Sequence, residues 1–422
     1  MVKIVILILF YLFFPLVIIW LCKKWSLFAR LGSIVIAYAF GLILGNTGIL
    51  SLGSSDYLIL KEGRNYIPSA EIELLYEQGK ISDDDLFSNR IATTQDLITT
   101  IVIPLALPLL LFSLNIRRWL KYAGVGFLSM TLALISVVII VFASYFIFRD
   151  KIPDSGKVAG MLIGIYTGGT PNVAAIKTAL GVDSNLFIMT HTSDLVIGAI
   201  TIIFFITLGP KVFSLFLPKF RFKVNGGSND ALIEEAKSME DYSLILKGER
   251  PLLNILASVG LTILIFGISG GVAMLFPSSF LMMIVILGIT TLGIGASLIP
   301  RVNRLKGTFQ MGMYLILIFS LVVASMADLT KMLSAEYLNV TMMVAFVVFG
   351  SLILHLILAA IFKVNVDDFL ITTTALVYSP PFVPVVAGAL KNKEIIITGL
   401  TVGIIGYAIG NYIGIFIGQI LG

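Results

Sequence analysis

The stretch Gly168-Gly169-Thr170-Pro171-Asn172 interrupts an apolar segment at 157–180. Glycine weakens a helix and proline removes a backbone hydrogen bond, so this stretch predicts a break within a segment of membrane-spanning length. A second apolar segment, 368–390, contains Tyr378-Ser379-Pro380-Pro381 and predicts a stronger break. Non-helical backbone is tolerated at membrane depth only where protein or a water-filled cavity satisfies its polar groups. The two stretches therefore indicate a buried functional region.

The remaining sequence has the composition of an integral membrane protein. Of its 422 residues, 58% are hydrophobic and 13% are charged, whereas soluble domains have about 25% charged residues. The net charge of +5 is spread over short connections, as the membrane-orientation rule for lysine and arginine produces, and it requires no nucleic-acid partner. Cys22 is the single cysteine, so intramolecular disulfides and cysteine metal clusters are excluded. We expect a lipid bilayer as the surroundings, in the cytoplasmic (inner) membrane of the cell.

Hydropathy predicts an all-α, polytopic protein with twelve apolar segments, six in each half of the chain. The halves are 1–208 and 251–422, joined by the polar linker 209–250. Each predicted break lies in the fifth segment of its half, so we predict two structural repeats. The segments are 3–22, 31–52, 97–115, 122–148, 157–180, 187–208, 252–276, 279–300, 307–327, 337–362, 368–390 and 395–421.

The basic residues distinguish two possible courses for the broken segments, 157–184 and 367–393. If both segments cross the membrane, the linker 209–250 and the basic cluster at 301–306 lie outside, against the rule that lysine and arginine stay in the cytoplasm. If both segments enter and return, these clusters become cytoplasmic and the N-terminus lies outside. Each half then has about five crossings, and the second repeat is inverted relative to the first. We predict the re-entrant course, with an unwound crossing segment as the alternative.

With these residues in place, the chain resembles the membrane proteins of domain-of-unknown-function family 819. The run from Tyr166 to Ala175 is similar to that family's Gly-Gly-Ser-x-Asn stretch, with Thr170 in place of the serine, and Asp194 and the glycine-rich last segment fit the resemblance. The family is similar in architecture to sodium-coupled glutamate, bile-acid and citrate carriers and to cation/proton antiporters. The resemblance implies a carrier with inverted repeats and broken helices, and it names no substrate. The second break has Tyr378-Ser379-Pro380-Pro381 where a glycine pair is expected, a departure from the family pattern that weakens the transfer of ion-site roles to this half.

The first break and the acid that follows it supply the main candidates for ion or solute binding. Thr170, Asn172 and freed backbone carbonyls are hard donors suited to Na⁺, and Asp194 could complete that site or carry a proton. The structural alternatives are a kink filled by neighbouring helices, and an interfacial Asp194 if its span begins near Leu195. The predicted substrate- and ion-binding residues are Gly168, Gly169, Thr170, Pro171, Asn172, Asp194, Ser379, Pro380 and Pro381.

Five more polar residues are secondary candidates. Lys177 could neutralise an anionic solute, although snorkelling to the interface is the preferred interpretation. His191 is interpreted as a hydrogen-bonded structural residue. His355 is interpreted as satisfied by a neighbouring helix, with a proton relay as its functional alternative. The secondary set is Lys177, Thr190, His191, His355 and Asn411.

Glycine recurs every four residues in the last segment and leaves one helix face without side chains. Such a face could pack within the protomer or form a homodimer contact, and we expect packing within the protomer. The residues are Gly406, Gly410, Gly414 and Gly418.

These features together predict a secondary active transporter. It would move a small solute, for which an anion is one candidate, coupled to a Na⁺ or H⁺ gradient by alternating access. The chain has no nucleotide-binding motif, and beyond a bound Na⁺ we expect no cofactor. A cation/proton antiporter is the alternative in the same class. The alternatives from other classes are an intramembrane hydrolase, for which Ser297 with His355 is a poor match, and a non-transporting scaffold; we expect no enzymatic activity.

Overall fold

The computed structural model describes residues 2–25, 28, 32–51, 53–61, 64, 66–113, 124–220, 241–246, 251–326, 335–378, 382–390, 392 and 395–422. Within these ranges the chain forms eighteen α-helices and two short 3-10 helices, at Tyr242–Ile245 and Ser278–Phe280. No strand occurs in the described ranges. The predicted all-α fold is confirmed.

The α-helices are numbered in chain order. The first half contains α1 (Val2–Lys24), α2 (Ser33–Asn46), α3 (Ser55–Leu60), α4 (Ser69–Glu77), α5 (Asp83–Phe112), α6 (Gly124–Phe148), α7 (Ser155–Gly168), α8 (Thr170–Ala179) and α9 (Ser184–Thr207). The remainder contains α10 (Gly209–Phe213), α11 (Pro251–Ala273), α12 (Leu281–Ser297), α13 (Pro300–Asn303), α14 (Thr308–Ser325), α15 (Ala335–Ile361), α16 (Val366–Val377), α17 (Val383–Ala389) and α18 (Ile396–Leu421).

Ten apolar helices supply the membrane part of the fold. Eight of the described helices are long and apolar enough to cross a bilayer. They are α1, α5, α6, α9, α11, α14, α15 and α18. With the shorter apolar helices α2 and α12 included, each half has five apolar helices in addition to its broken segment. The protein is therefore a multi-pass membrane protein.

The helix α5 begins well before the predicted boundary at residue 97. Ser82 and Asp85 form a reciprocal capping box at its start, and the first turn contains three acidic residues that complement the helix dipole. Asn89, one turn later, accepts hydrogen bonds from Tyr57 Oη at 3.0 Å and from the Ile67 backbone nitrogen at 2.8 Å. The polar half of α5 therefore holds part of the 53–96 connection as a folded cap, which hydropathy alone does not indicate.

The first broken segment folds into a hairpin of α7 and α8, called here the first hairpin. Gly169 separates the helices with φ 68° and ψ −152°, a conformation that favours glycine. Contacts across the hairpin pair residues in reverse order. Gly160 lies against Leu180, Gly164 against Ile176, and Gly168 against Asn172. The two arms are therefore antiparallel, which is the re-entrant geometry and not that of a crossing segment.

The second broken segment, α16 followed by α17, also has its two ends close together. The Asn392 side-chain nitrogen donates a hydrogen bond to Asp367 Oδ2 at 2.7 Å, and this bond joins the ends across 25 residues. We call this unit the second hairpin. Ser379, Pro380 and Pro381, predicted at its break, lie outside the described residues.

The two hairpins start at opposite ends of α9. Asp154 and Asp183, at the two ends of the first hairpin, line one cavity, and α9 begins immediately after Asp183. After α9 ends, the Val366 backbone nitrogen donates to the Pro218 oxygen at 3.0 Å, at the start of the second hairpin. A helix of 24 residues is about 36 Å long at about 1.5 Å per residue, a full bilayer thickness. The hairpins therefore enter the helix bundle from opposite sides.

The glycine face of α18 receives the first hairpin, so the predicted packing within the protomer is present. A Cβ added at Gly406 would overlap the Thr167 carbonyl oxygen, and one at Gly410 would overlap the Thr167 and Asn172 side chains. Gly414 and Gly418 face Ile176 and Leu180. Small residues thus permit the close backbone approach that often replaces hydrophobic association inside membranes.

The described parts of the linker 209–250 pack against the helices. Phe213 of α10 is 4% exposed and lies against Phe369 of the second hairpin, with ring centroids 4.9 Å apart. Tyr242 shares a hydrogen bond of 3.3 Å with Ser33 of α2. Both ends of the linker are therefore tied to the membrane part, while 221–240 and 247–250 lie outside the described residues.

We predict that Gly406→Ala destabilises the protein because its new methyl group meets the Thr167 backbone, which has no room to shift. Overpacking of this kind costs about 1–3 kcal/mol of unfolding free energy. Gly267→Ala in α11 is the matched control, since a Cβ there meets nothing within 4 Å. Thermal melting of the detergent-purified variants measures the difference. Equal melting temperatures would contradict the close approach.

Candidate functional site

The tips of the two hairpins converge on one small cavity, called here the tip cavity. Tyr166 of α7 and Tyr378, which directly follows α16, both line it, together with Thr201 of α9 and His355 of α15. Its volume is about 30 Å³. One water needs roughly 10–15 Å³ of such space, so the cavity has room for a water or two or a small cation, and none for an organic solute.

Asp194 lies beside this cavity, near the middle of α9. The helix begins at Ser184, so Asp194 is not a helix-start residue: it lies about 15 Å along the helix. Tyr166 Oη donates a hydrogen bond of 2.9 Å to Asp194 Oδ1. Within the described residues no ion pair involves this carboxylate. A membrane acid next to a water-sized cavity, without a cation partner, is a candidate for binding a cation or a proton.

Tyr166 reaches Asp194 because the first arm is distorted before it ends. Its φ of −89° and ψ of 15° lie outside the helical range, two residues ahead of the Gly168-Gly169 pair. The predicted break thus begins two residues earlier than the glycines. The sequence signal for this pairing is the aromatic residue preceding the glycine pair, together with the acid in the next span.

Asn172 is hydrogen-bonded to the last helix. Its side-chain nitrogen donates to the Gly406 oxygen of α18 at 3.0 Å, and the residue is 1% exposed. Thr170 and Pro171 begin α8 directly after the break. Hydrogen bonds in the described structure therefore join Asn172 to the last helix and Asp194 to Tyr166, and none of them links Thr170, Asn172 and Asp194 as one set of Na⁺ ligands.

His355 faces the tip cavity and is held by two hydroxyl groups. Its Nδ1 lies 3.2 Å from Thr373 Oγ1, and its Nε2 makes a longer contact of 3.5 Å with Ser129 Oγ. A neighbouring helix thus satisfies the ring, as expected. Ser297 instead donates to the Ile294 oxygen at 2.6 Å, within its own helix. The serine–histidine pair considered for a hydrolase is not formed.

The other secondary candidates lie away from the tip cavity. Thr190 donates to the Leu186 oxygen of its own helix at 2.8 Å. His191 packs edge-on against Tyr38, with ring centroids 5.1 Å apart, and both its ring nitrogens lack a hydrogen-bond partner in the described structure. The expectation that His191 is hydrogen-bonded is therefore wrong. Asn411 donates to Thr290 Oγ1 at 3.2 Å, which joins α18 to α12.

Lys177 lines a second cavity, at the outer end of the first hairpin, and does not snorkel to an exposed interface. The residue is 6% exposed, and the cavity has a volume of about 630 Å³. Asp96 of α5 and Asp183 at the start of α9 line the same space. Sequence reasoning missed this cavity because its walls come from segments far apart in the chain.

Comparison with known sequences agrees that this is a membrane protein. Residues 79–422 match the family described as Protein of unknown function (DUF819). The chain is also 26% identical over 337 residues to the uncharacterized membrane protein YjcL of Bacillus subtilis (strain 168), covering 77% of this chain and 83% of that protein. The chain belongs to the DUF819 family, as the resemblance of the first break indicates.

We predict that the Tyr166–Asp194 hydrogen bond couples the first hairpin to α9 energetically. Hydrogen bonds to charged groups contribute about 1.5–3 kcal/mol. Tyr166→Phe and Asp194→Ala should therefore each lower thermal stability, and the double variant should lose less than the sum of the two.

A double-mutant cycle on melting free energies measures this coupling. Tyr145→Phe is the matched control: Tyr145 belongs to α6 and does not line the tip cavity. Strictly additive losses from Tyr166 and Asp194 would mean that the bond does not form in the membrane protein.

Proposed function

We propose that this member of the DUF819 family is a secondary active transporter, in which a Na⁺ or H⁺ gradient drives a small solute across the membrane by alternating access. The observation that carries the proposal is the pair of hairpins. They enter from opposite sides, and Tyr166 and Tyr378 at their tips line one cavity beside Asp194. Paired interruptions at corresponding positions of two halves are typical of transporter binding sites.

Reciprocal packing of the two halves supports the predicted repeats. The helices α1 and α2 of the first half pack on α14 of the second half. In the same way, α11 and α12 of the second half pack on α5 of the first half. The helices α5 and α14 contact each other, as do α6 and α15. This exchange of partners is what a two-fold relation between repeats produces. It favours inverted repeats when combined with hairpins that enter from opposite sides.

The tip cavity suits the coupling ion better than the solute. Its volume of about 30 Å³ is too small for an organic solute, and Tyr166, Thr201 and Tyr378 are among the residues that line it. Asp194 supplies the negative charge next to it. This observation also favours the second candidate, a cation/proton antiporter, which needs no space for an organic solute.

The two sides of the bundle differ in access. A cavity of about 630 Å³ opens at the first hairpin, next to Arg64, Tyr66 and Pro68 of the 53–96 connection. The start of the second hairpin is packed by aromatic rings, including Phe213 against Phe369. We infer that this conformation is open on the side of the 53–96 connection, and that transport requires the packing at Phe213 to separate.

We predict that Asp194→Asn abolishes cation-coupled transport while the protein still folds, because the amide neither releases a proton nor carries the charge that holds a cation. Vesicles containing the purified full chain and dyes sensitive to pH and Na⁺ would be exposed to imposed Na⁺ and pH gradients, with and without organic solutes. Asp150→Asn is the control, because its side chain is 88% exposed and lies away from both cavities.

The outcomes separate the candidates. Cation movement that requires an added solute supports the symporter, and Na⁺ exchange for H⁺ without solute replaces it by the antiporter. If the wild-type protein melts cooperatively yet moves neither cation under any gradient, the transporter proposal is wrong. Wild-type coupling by Asp194→Asn would remove Asp194 from the site.

A further inference from the structure

Two stretches of chain meet at the start of the second hairpin, where the membrane helices before them have ended. Residues 208–219 follow α9, and residues 362–365 follow α15. The Val366 backbone nitrogen donates to the Pro218 oxygen at 3.0 Å and so joins the two stretches. Both helices are long and apolar enough to cross a bilayer, so the stretches that follow them lie at the level of the lipid headgroups.

One side of these stretches packs on the second hairpin. Phe213 and Leu217 are each 4% exposed, and the Phe213 ring lies against Phe369 of α16, with centroids 4.9 Å apart. Val364 of the second stretch belongs to the same buried apolar cluster. The buried side thus fixes both stretches in place, and the other side chains are left facing outward.

The outward side combines large apolar side chains with lysines. The apolar side chains are 36% to 79% exposed, and they are Leu208, Val212, Leu215, Phe216, Ile361 and Phe362. Three exposed lysines, called here the lysine patch, lie in the same stretches: Lys211, Lys219 and Lys363. Among the described residues, none of the three takes part in an ion pair. Apolar side chains beside lysines are typical of segments that lie in the membrane interface.

The acidic groups of the same region are turned inward. Asp367 and Asp368, at the start of α16, are 8% and 4% exposed. The Asn392 side chain donates a hydrogen bond to Asp367, and the Asn365 side chain donates one to Asp368. The exposed charge of residues 208–219 and 361–368 therefore comes from lysine alone. Such a surface is complementary to an anion.

Lys363 has a backbone conformation that disfavours a lysine. Its φ of 57° lies in the left-handed region, where glycine is the usual residue after a helix. The Val364 backbone nitrogen donates to the Ala359 oxygen at 2.8 Å and closes the turn that ends α15. Glycine would form this turn with less strain, so a charged side chain here indicates a role outside the turn itself.

We propose that the lysine patch binds the headgroup of an anionic phospholipid, whose acyl chains cover the exposed apolar side chains beside it. This inference goes beyond the proposed function and does not depend on transport. The phosphodiester supplies the negative charge that attracts lysines at a membrane surface. A bound headgroup bridges the ends of α9 and α15 across the start of the second hairpin. It therefore stabilises the packing of Phe213 on Phe369.

Lipid titrations of the detergent-purified full chain test this site. Dioleoylphosphatidylglycerol should raise the melting temperature, because a ligand stabilises the state that it binds. Dioleoylphosphatidylcholine has the same acyl chains without net charge, and glycerol 3-phosphate has the charge without acyl chains, so each should have little effect at equal concentration. An equal rise with phosphatidylcholine overturns the charge-specific site. An equal rise with glycerol 3-phosphate assigns the patch to a free phosphate and overturns the lipid.

Two sets of substitutions test the lysines. Lys363→Gly removes a charge and relieves the left-handed backbone, so without lipid it should melt at or above the wild-type temperature. It should raise the phosphatidylglycerol concentration for half-maximal stabilisation by about fivefold, the usual contribution of one lysine near an anionic surface. Lys211→Gln combined with Lys219→Gln should raise it by about 25-fold.

The matched control is Lys151→Gln, which changes one charge in the exposed turn before the first hairpin, at the opposite end of the bundle. It should leave the concentration unchanged. A loss as large as that of Lys363→Gly would mean that binding follows the net charge of the whole chain, which overturns the site. Equal titrations of the wild type, Lys363→Gly and the double variant overturn it as well. If the double variant does not fold, Lys363→Gly and the three probes decide the question.

Discussion

The closest packing in the protein joins the last helix to the first hairpin, and the arrangement of the site depends on it. Because α18 has no side chains on one face, the backbone of α7 lies directly on it, and Asn172 at the tip reaches the carbonyl of Gly406. A break at membrane depth leaves backbone groups that lipid cannot satisfy. Here neighbouring protein meets that need, and the tip becomes a fixed platform that presents Tyr166 to Asp194.

The two hairpins are held by different kinds of contact. The first hairpin packs against the glycines of α18, where a small displacement produces steric overlap. The second is bordered by aromatic rings, with Phe213 on Phe369 and Phe205 edge-on to Tyr378, and by the bond from Asn392 to Asp367. Ring contacts can slide and re-form with little loss of buried area. The second hairpin also meets a glycine of α18, since Ile371 and Val383 lie against Gly399, so both hairpins pack on that helix.

Much of the architecture follows from local sequence. Apolar runs give the membrane helices, and Gly168-Gly169 gives the first break, because these signals act within a few residues. The excess of lysine and arginine selects the hairpin course, which the antiparallel contacts show at the first break. Helix boundaries depend on more than apolar runs. The three acids and Ser82 extend α5 towards its N-terminus into a polar region, a capping effect that a hydropathy average does not detect.

The roles of single polar residues were harder to predict, because they depend on contacts distant in sequence. Asp194 meets Tyr166, and Asn172 meets Gly406 across 234 residues, so these two predicted ion ligands have different hydrogen-bond partners. Lys177 looked like a snorkelling residue because the chain does not reveal that Asp96 and Asp183 lie beside it. His191 is packed among aromatic rings, which no local pattern indicates.

The separation of Asn172 from Gly406 also constrains how the chain matures in the membrane. Ribosomes extend a chain by roughly 5–20 residues per second, so more than about ten seconds pass between synthesis of the two partners. During that interval the first hairpin lacks the helix that covers its backbone. Until then its unpaired backbone N–H and C=O groups must form hydrogen bonds with water, with earlier helices or with the insertion machinery. Packing of the first half is therefore completed only after α18 has been synthesised and inserted.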